Sequence, residues 1–381
     1  MTENFLKIKT EVVRPIHELT GIRFFAALHV VFFHNFYLSK QTYENAPDWV
    51  LHFISFGDSA VSFFFILSGF ILTYAYTNDS LKLKTSAREY FWGRFARLYP
   101  LYLLGLLIDL PRGLSYFFNT YDFKTAVLKT GISASAYVTM LQSWYPRVTT
   151  TWNSPAWSLS DEMFFYLIFP LALPLIFRLH RTVVAMLFLY LFPIALYFLV
   201  VPIFVDDLSS GTFSVFWRSF PLVRVSDFFI GLLLGKIFIT ENKIKYFVRR
   251  HHRWFGGFFW IILLLSLVLI SLDINFPKEV FSSTFLVPCF STMIILLATI
   301  KVPLTGFLRS KPLVILGNAS FALYITHQPI LYYIDYILRA LGIDLSLLYF
   351  VFYLIIALTF SLICYFFFEK PLQKRLRNLY R

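Results

Sequence analysis

The first apolar stretch, "GIRFFAALHVVFFHNFY", holds an arginine and a histidine eleven residues apart, Arg23 and His34. On a helix that spacing is three turns plus about 20°, so both side chains leave one face, about 16 Å apart along the axis. An arginine at the centre of a bilayer helix costs about 2.5–3.5 kcal/mol on insertion scales, which makes it a functional hypothesis. Snorkelling to the nearer surface is the competing reading. An imidazole, with an ordinary pKa of about 6.5, suits general acid–base work near neutrality. His29 points roughly 140° away from His34 and reads as a packing or hydrogen-bonding histidine.

Two depths collect further groups. Beside Arg23, "YFWGRFARLYP" puts Arg94 and Arg97 on one helix face. Three guanidiniums would suit a polyanion such as a nucleotide phosphate. Anchoring by the positive-inside bias explains the same two arginines. At the depth of His34 lie Asp58 at the start of the second span, Asp161 and Glu162 in "PAWSLSDEMFFY", and Arg224 with Asp227, which at i, i+3 can simply pair with each other. "GNASFALYITHQPI" places His327 somewhat beyond mid-membrane and adds Asn318, Ser320 and Tyr324 as candidates. Carboxylates beside an imidazole supply acid–base chemistry, and guanidiniums supply anion binding. Together they suggest a reaction that couples a charged donor on the inner side to an acceptor near the outer face.

The elements that must position these groups are membrane spans. The chain is 58% hydrophobic and 14% charged, and its mean hydropathy is +0.67. Soluble domains run near 25% charged, so the composition is that of an all-α, polytopic membrane protein. Ten stretches approach the about 20 apolar residues that a crossing needs: 19–38, 58–77, 95–112, 157–177, 183–204, 221–239, 254–272, 280–300, 313–338 and 346–368. An eleventh, 126–141, contains Lys129 and many small polar residues. If it does not cross, most of the 34 lysines and arginines fall on one side, from Lys7, Lys9 and Arg14 to Arg375, Arg377 and Arg381. The positive-inside bias then puts both termini in the cytoplasm and makes 113–156 a long outer loop that could carry a re-entrant segment. The same distribution explains the net charge of +13 without a nucleic-acid partner. Cys289 and Cys364 each sit in an apolar run and read as small buried hydrophobes, with neither a disulfide nor a metal site expected. The N-terminus shows no signal-peptide pattern.

Six motifs in order resemble the acyltransferase-3 family of integral membrane acyltransferases. They are "LTGIRFFAALHVVFFH" with Arg23 and His34, "VSFFFILSGFIL" with Ser68 and Gly69, "RFARLYP", "WSLSDEMFFY", "GNASFALYITHQP" and "FEKP". The fourth motif selects Glu162 rather than Asp161. One departure is "ITHQP", where many members carry an aromatic residue before the histidine, here His327.

The resemblance implies one membrane acyltransferase domain over 1–381; some members add an extracytoplasmic hydrolase-like extension, and none is expected here. It implies a multi-pass protein of a bacterial inner membrane and a donor of cytoplasmic acyl-CoA, acetyl-CoA in the first instance, with no permanently bound cofactor. The acceptor would be a hydroxyl of a glycan or glycolipid, such as a lipopolysaccharide or exopolysaccharide unit, or else a macrolide or lipid. On this reading Arg23, Arg94 and Arg97 hold CoA phosphates, His34 is the general base and Glu162 orients or supports its imidazolium; an acyl-histidine intermediate is the alternative. Ser68 and Gly69 either allow close helix packing or admit the pantetheine arm. A secondary transporter is the main non-enzyme alternative, but no pair of matching interrupted helices is present.

Overall fold

The computed structural model describes residues 14–38, 43, 45–78, 81–203, 211–272, 277, 280, 284–343 and 347–379. Lys7, Lys9 and Arg381, counted toward the inner charge, lie outside the described residues, as do 281–283 and 346 at the starts of two expected spans. Among the described residues the protein is all-helical with no strand. The first half contains α1 (His17–Leu38), the short α2 (Asp48–Ser55), α3 (Ala60–Tyr76), α4 (Ala87–Thr120), α5 (Phe123–Val138), α6 (Trp157–Arg178) and α7 (Thr182–Val200). The second contains α8 (Thr212–Ser219), α9 (Pro221–Thr240), α10 (Asn242–Arg250), α11 (His252–Ser271), α12 (Val287–Thr299), α13 (Pro303–Leu308), α14 (Lys311–Ala340), α15 (Leu347–Ile363) and α16 (Lys370–Asn378). A π-helical turn, Cys364–Glu369, joins the last two.

Seven helical stretches among the described residues are long and apolar enough to cross a membrane by length and composition. Three stretches expected to cross are helical but fall outside that set. The 20 residues of α9 include Arg224, Asp227 and Lys236; α12 has 13 residues; and α14 carries Asn318, Ser320, His327 and Gln328. The physical reason is position. Most of α9 and the middle of α14 are buried by other helices, so protein rather than lipid satisfies their polar groups. By contrast, α7 and α11 turn Val183, Phe188, Trp254 and Leu264 outward.

Small residues let the central helices touch. A Cβ on Gly69 would sit 2.2 Å from the Phe228 carbonyl oxygen, and one on Gly231 would sit 2.1 Å from that of Ile66. The backbones of α3 and α9 therefore meet directly, as small-residue contacts allow in membranes. Lys236 of α9 donates to the carbonyls of Ile176 (3.1 Å) and Leu179, and so closes the C-terminus of α6.

A capping box of Ser86 and Glu89 starts α4, whose 34 residues span about 50 Å. Asp122 then caps α5, accepting from the Thr125 N–H at 3.2 Å. The ambiguous stretch 126–141 is largely this helix, which folds back along α4. Tyr99 and Tyr102 reach its far end through the carbonyls of Val138 (3.0 Å) and Tyr137 (2.6 Å). At 16 residues, α5 is shorter than the about 20 a crossing needs. The chain returns along α14, where Asn153 donates to the Ile325 carbonyl (2.7 Å) and the Ser154 N–H donates to the Gln328 side chain (3.0 Å). That lacing delivers Trp157 and the start of α6 to the centre of the bundle.

Candidate active site

Helices α1 and α14 run side by side in the same direction and touch at a glycine. A Cβ on Gly317 would lie 1.9 Å from the Thr20 carbonyl oxygen. Further along the same pair, His34 and His327 meet: Nε2 of His327 is 3.2 Å from Nδ1 of His34, with ring centroids 5.0 Å apart. The carbonyls around them assign the protons. Nδ1 of His327 faces the carbonyls of Tyr324 (2.7 Å) and Leu323 (3.1 Å), which only accept, so this nitrogen carries its proton. Its Nε2 then accepts from Nδ1–H of His34, which also lies 3.0 Å from the Val30 carbonyl. Nε2 of His34 is left with a free lone pair.

His34 lines a cavity of 320 Å³ with an amphipathic wall. Phe33, Tyr37, Trp157 and Tyr332 give aromatic faces, while Asp58, Arg218, Ser154 and Gln328 give polar groups. Asp58 and Arg218 stand 3.5 Å apart. Arg224, which also lines this cavity, pairs with Asp227 at 3.2 Å and donates to Ser62 at 2.9 Å. On α4, Arg112 pairs with Asp109 and lies over the Tyr332 ring, 4.6 Å from its centroid.

A second cavity, of 530 Å³, lies toward the other end of the same helices. Arg23, Arg94 and Arg97 all line it, together with Ser68, Asn318 and Ser320. Arg94 donates to the Tyr76 hydroxyl at 2.7 Å and sits over the rings of Tyr76 and Tyr166. Among the described residues, no carboxylate lies within ion-pair distance of any of the three. Glu162 also lines this cavity, accepting from Ser68 (3.4 Å) and Tyr166.

Placement differs from expectation in several respects. Glu162 faces the arginine cavity and not His34; the imidazole's side-chain partner is His327. Glu162 follows Trp157 by five residues on α6, which rotates it about 140° and carries it about 7.5 Å along the axis. Asp161 lines neither cavity and is fully buried. Gly69 packs on α9, whereas Ser68 faces the arginine cavity. Arg224 and Asp227 pair with each other, and His29 binds the Phe53 carbonyl at 2.7 Å. Asp58 borders the histidine cavity, and Tyr324 borders both. Both cysteines are buried and free. Among the described residues, no group of three or more His, Cys, Asp or Glu could hold a metal ion.

Among the cavity residues absent from the candidates are Arg218, Tyr332, Gln328 and Tyr166. Arg218 and Tyr332 lie in segments with no motif. Gln328 directly follows His327, and Tyr166 follows Glu162 at i, i+4, a spacing that could have flagged it.

The chain matches the model of a family described as an acyltransferase domain over residues 16–366. It is 31% identical over 342 residues to acyltransferase MdmB of Streptomyces mycarofaciens, covering 84% of this chain and 80% of that protein. It is 24% identical over 396 residues to O-acetyltransferase OatA of Staphylococcus aureus, covering 98% of this chain but only 60% of that longer protein. A third relative, protein 2 in picA locus of Rhizobium radiobacter, is 33% identical over 159 residues, 38% of this chain and 75% of that protein. No solved structure matches the chain. With the motifs, the family match along nearly the whole length and the helical architecture in agreement, this chain belongs to the acyltransferase-3 family of membrane acyltransferases.

Proposed function

We propose that the protein transfers an acyl group, acetyl in the first instance, from cytoplasmic acyl-CoA to a hydroxyl of a glycan or glycolipid. In this reading ten helices cross a bacterial inner membrane with both termini in the cytoplasm, and the arginine cavity faces the donor side. The observation that carries this reading is the pair of cavities stacked along α1, α3, α6 and α14. One collects three guanidiniums with no carboxylate at ion-pair distance among the described residues, and the other opens on an imidazole with a free lone pair. Guanidiniums without a direct ion pair suit the phosphates of CoA. The about 16 Å between Arg23 and His34 along the helix is comparable to an extended pantetheine arm.

In the reaction, the acceptor O–H gives its proton to Nε2 of His34 as the oxygen attacks the thioester carbonyl. The tetrahedral intermediate collapses by breaking the C–S bond, and the imidazolium returns the proton to the departing CoA thiolate. His327 accepts from Nδ1–H of His34 throughout, and so holds the tautomer and supports the imidazolium, the position a carboxylate occupies in a triad. Glu162 fixes Ser68 and Tyr166 along the donor cavity. Trp157, Tyr37 and Tyr332 offer faces on which sugar rings stack, and Asp58, Arg218 and Gln328 offer partners for sugar hydroxyls.

Binding of labelled CoA tests the donor assignment. A charge-assisted hydrogen bond contributes about 1.5–3 kcal/mol, so Arg23→Ala should weaken binding about 10- to 100-fold, and Arg97→Ala similarly. Unchanged affinity in both would return these residues to membrane anchoring. Glu162→Gln keeps the acceptor for Ser68 and Tyr166, and should lower kcat by less than about 10-fold with donor affinity retained. A loss as large as that of His34→Ala would assign Glu162 to the chemistry itself.

A further inference from the structure

The two cavities share two wall residues, Val61 and Tyr324. Along α14, Asn318 and Ser320 face the arginine cavity and Gln328 and Tyr332 face the histidine cavity, so the wall changes sides at Tyr324. On α3 the changeover is at Val61, and on α6 it falls between Trp157 and Ser158. The Tyr324 side chain crosses from α14 toward the start of α6. There its hydroxyl meets the Ser158 hydroxyl at 2.7 Å and the Pro155 carbonyl at 3.1 Å. Phe64 stands edge-on to the ring at 6.2 Å, and the ring itself is buried. The buried ring itself, packed between Phe64 and the start of α6, stands where the two cavities meet.

We propose that Tyr324 is the partition dividing one through-passage into donor and acceptor chambers, and that its ring sets the longest acyl chain the protein transfers. This rests on the donor and acceptor assignments above. A thioester reaching His34 from the arginine side must place its acyl substituent beside this ring. A two-carbon group needs little room there, and each further methylene must displace the ring or the Val61 side chain. Discrimination by one methylene in an apolar pocket is commonly about 10- to 200-fold.

The test compares acetyl-CoA with butyryl-CoA as donors for the wild type, Tyr324→Ala and Tyr324→Phe. Tyr324→Ala should raise the butyryl-to-acetyl ratio of kcat/KM by at least about 10-fold. Tyr324→Phe, which keeps the ring and loses both hydroxyl contacts, should keep the wild-type ratio. Equal ratios in all three proteins, or the same change in Phe as in Ala, would overturn the assignment of the ring. Should Tyr324→Ala fail to fold, Val61→Ala opens the partition from the opposite wall and should shift the ratio in the same direction.

A second readout needs no catalysis. With Cys289 and Cys364 replaced, Ser154→Cys places a thiol in the histidine chamber of sealed vesicles. A membrane-impermeant methanethiosulfonate should label it from one face only when Tyr324 is present, and from both faces with Tyr324→Ala. Labelling from both faces with Tyr324 intact, or from one face in the variant, would show that Tyr324 is no partition. A wild type that transfers no acyl group from any CoA thioester overturns the donor assignment and the chain-length role together. That result differs from unchanged ratios in an active enzyme, which overturns the inference alone.

Discussion

Replacing His34 with alanine should lower acyl transfer by about 10²–10⁴-fold, the range general acid–base catalysis contributes. Donor binding should remain within about two-fold, because the guanidiniums stand about 16 Å away along α1. The free lone pair on Nε2 is what the substitution removes, and no other described imidazole borders that cavity. His327→Ala should cost less. His34 would still have the Val30 carbonyl as a partner for Nδ1–H at 3.0 Å, so its tautomer survives while support for the imidazolium is lost. His327→Gln, which restores an acceptor, should recover part of kcat without changing KM for the donor. Steady-state kinetics and CoA binding on purified protein check all three, and near-wild-type transfer by His34→Ala would end its assignment as the base.

Gly317→Ala should be the most damaging conservative change in the bundle. The new Cβ would sit 1.9 Å from the Thr20 carbonyl oxygen, a backbone atom that no rotamer change can move. Helices α1 and α14 must separate, at a cost of about 3 kcal/mol or more, the upper part of the range for overpacking. Because the same two helices bring His34 to His327, kcat should fall along with thermal stability in detergent. Gly256→Ala and Gly257→Ala provide the control. Nothing lies within 4 Å of a Cβ at either position on α11, so alanine there should be neutral or stabilising by up to about 1 kcal/mol. If Gly317→Ala melted with those controls, the close crossing would not be what holds the site.

Part of this organisation is legible without coordinates. Apolar length marks helices such as 157–177 and 183–204, found as α6 and α7. Helical phase puts Arg23 and His34 on one face of α1, and Arg94 beside Arg97 on α4. These depend on backbone geometry within a single helix, which local residues specify. The motif match located the family for the same reason, since it reads residue types in order.

What the sequence could not supply is which helices become neighbours and how they turn about their axes. Asp161 and Glu162 are adjacent in the chain, yet one is sealed in the interior and the other opens on the arginine cavity. His327 lies 293 residues from His34 and reaches it only because Gly317 lets α14 lie against α1. The wall at Tyr324 likewise needs Pro155 and Ser158 from a segment laced to α14 by Asn153 and Ser154. The chain by itself determined where most of the long helices lie and which residues share one face of a helix. Tertiary packing decided which side chains share a cavity, because contacts between distant segments depend on where backbones can approach, and a helix's own periodicity does not record that.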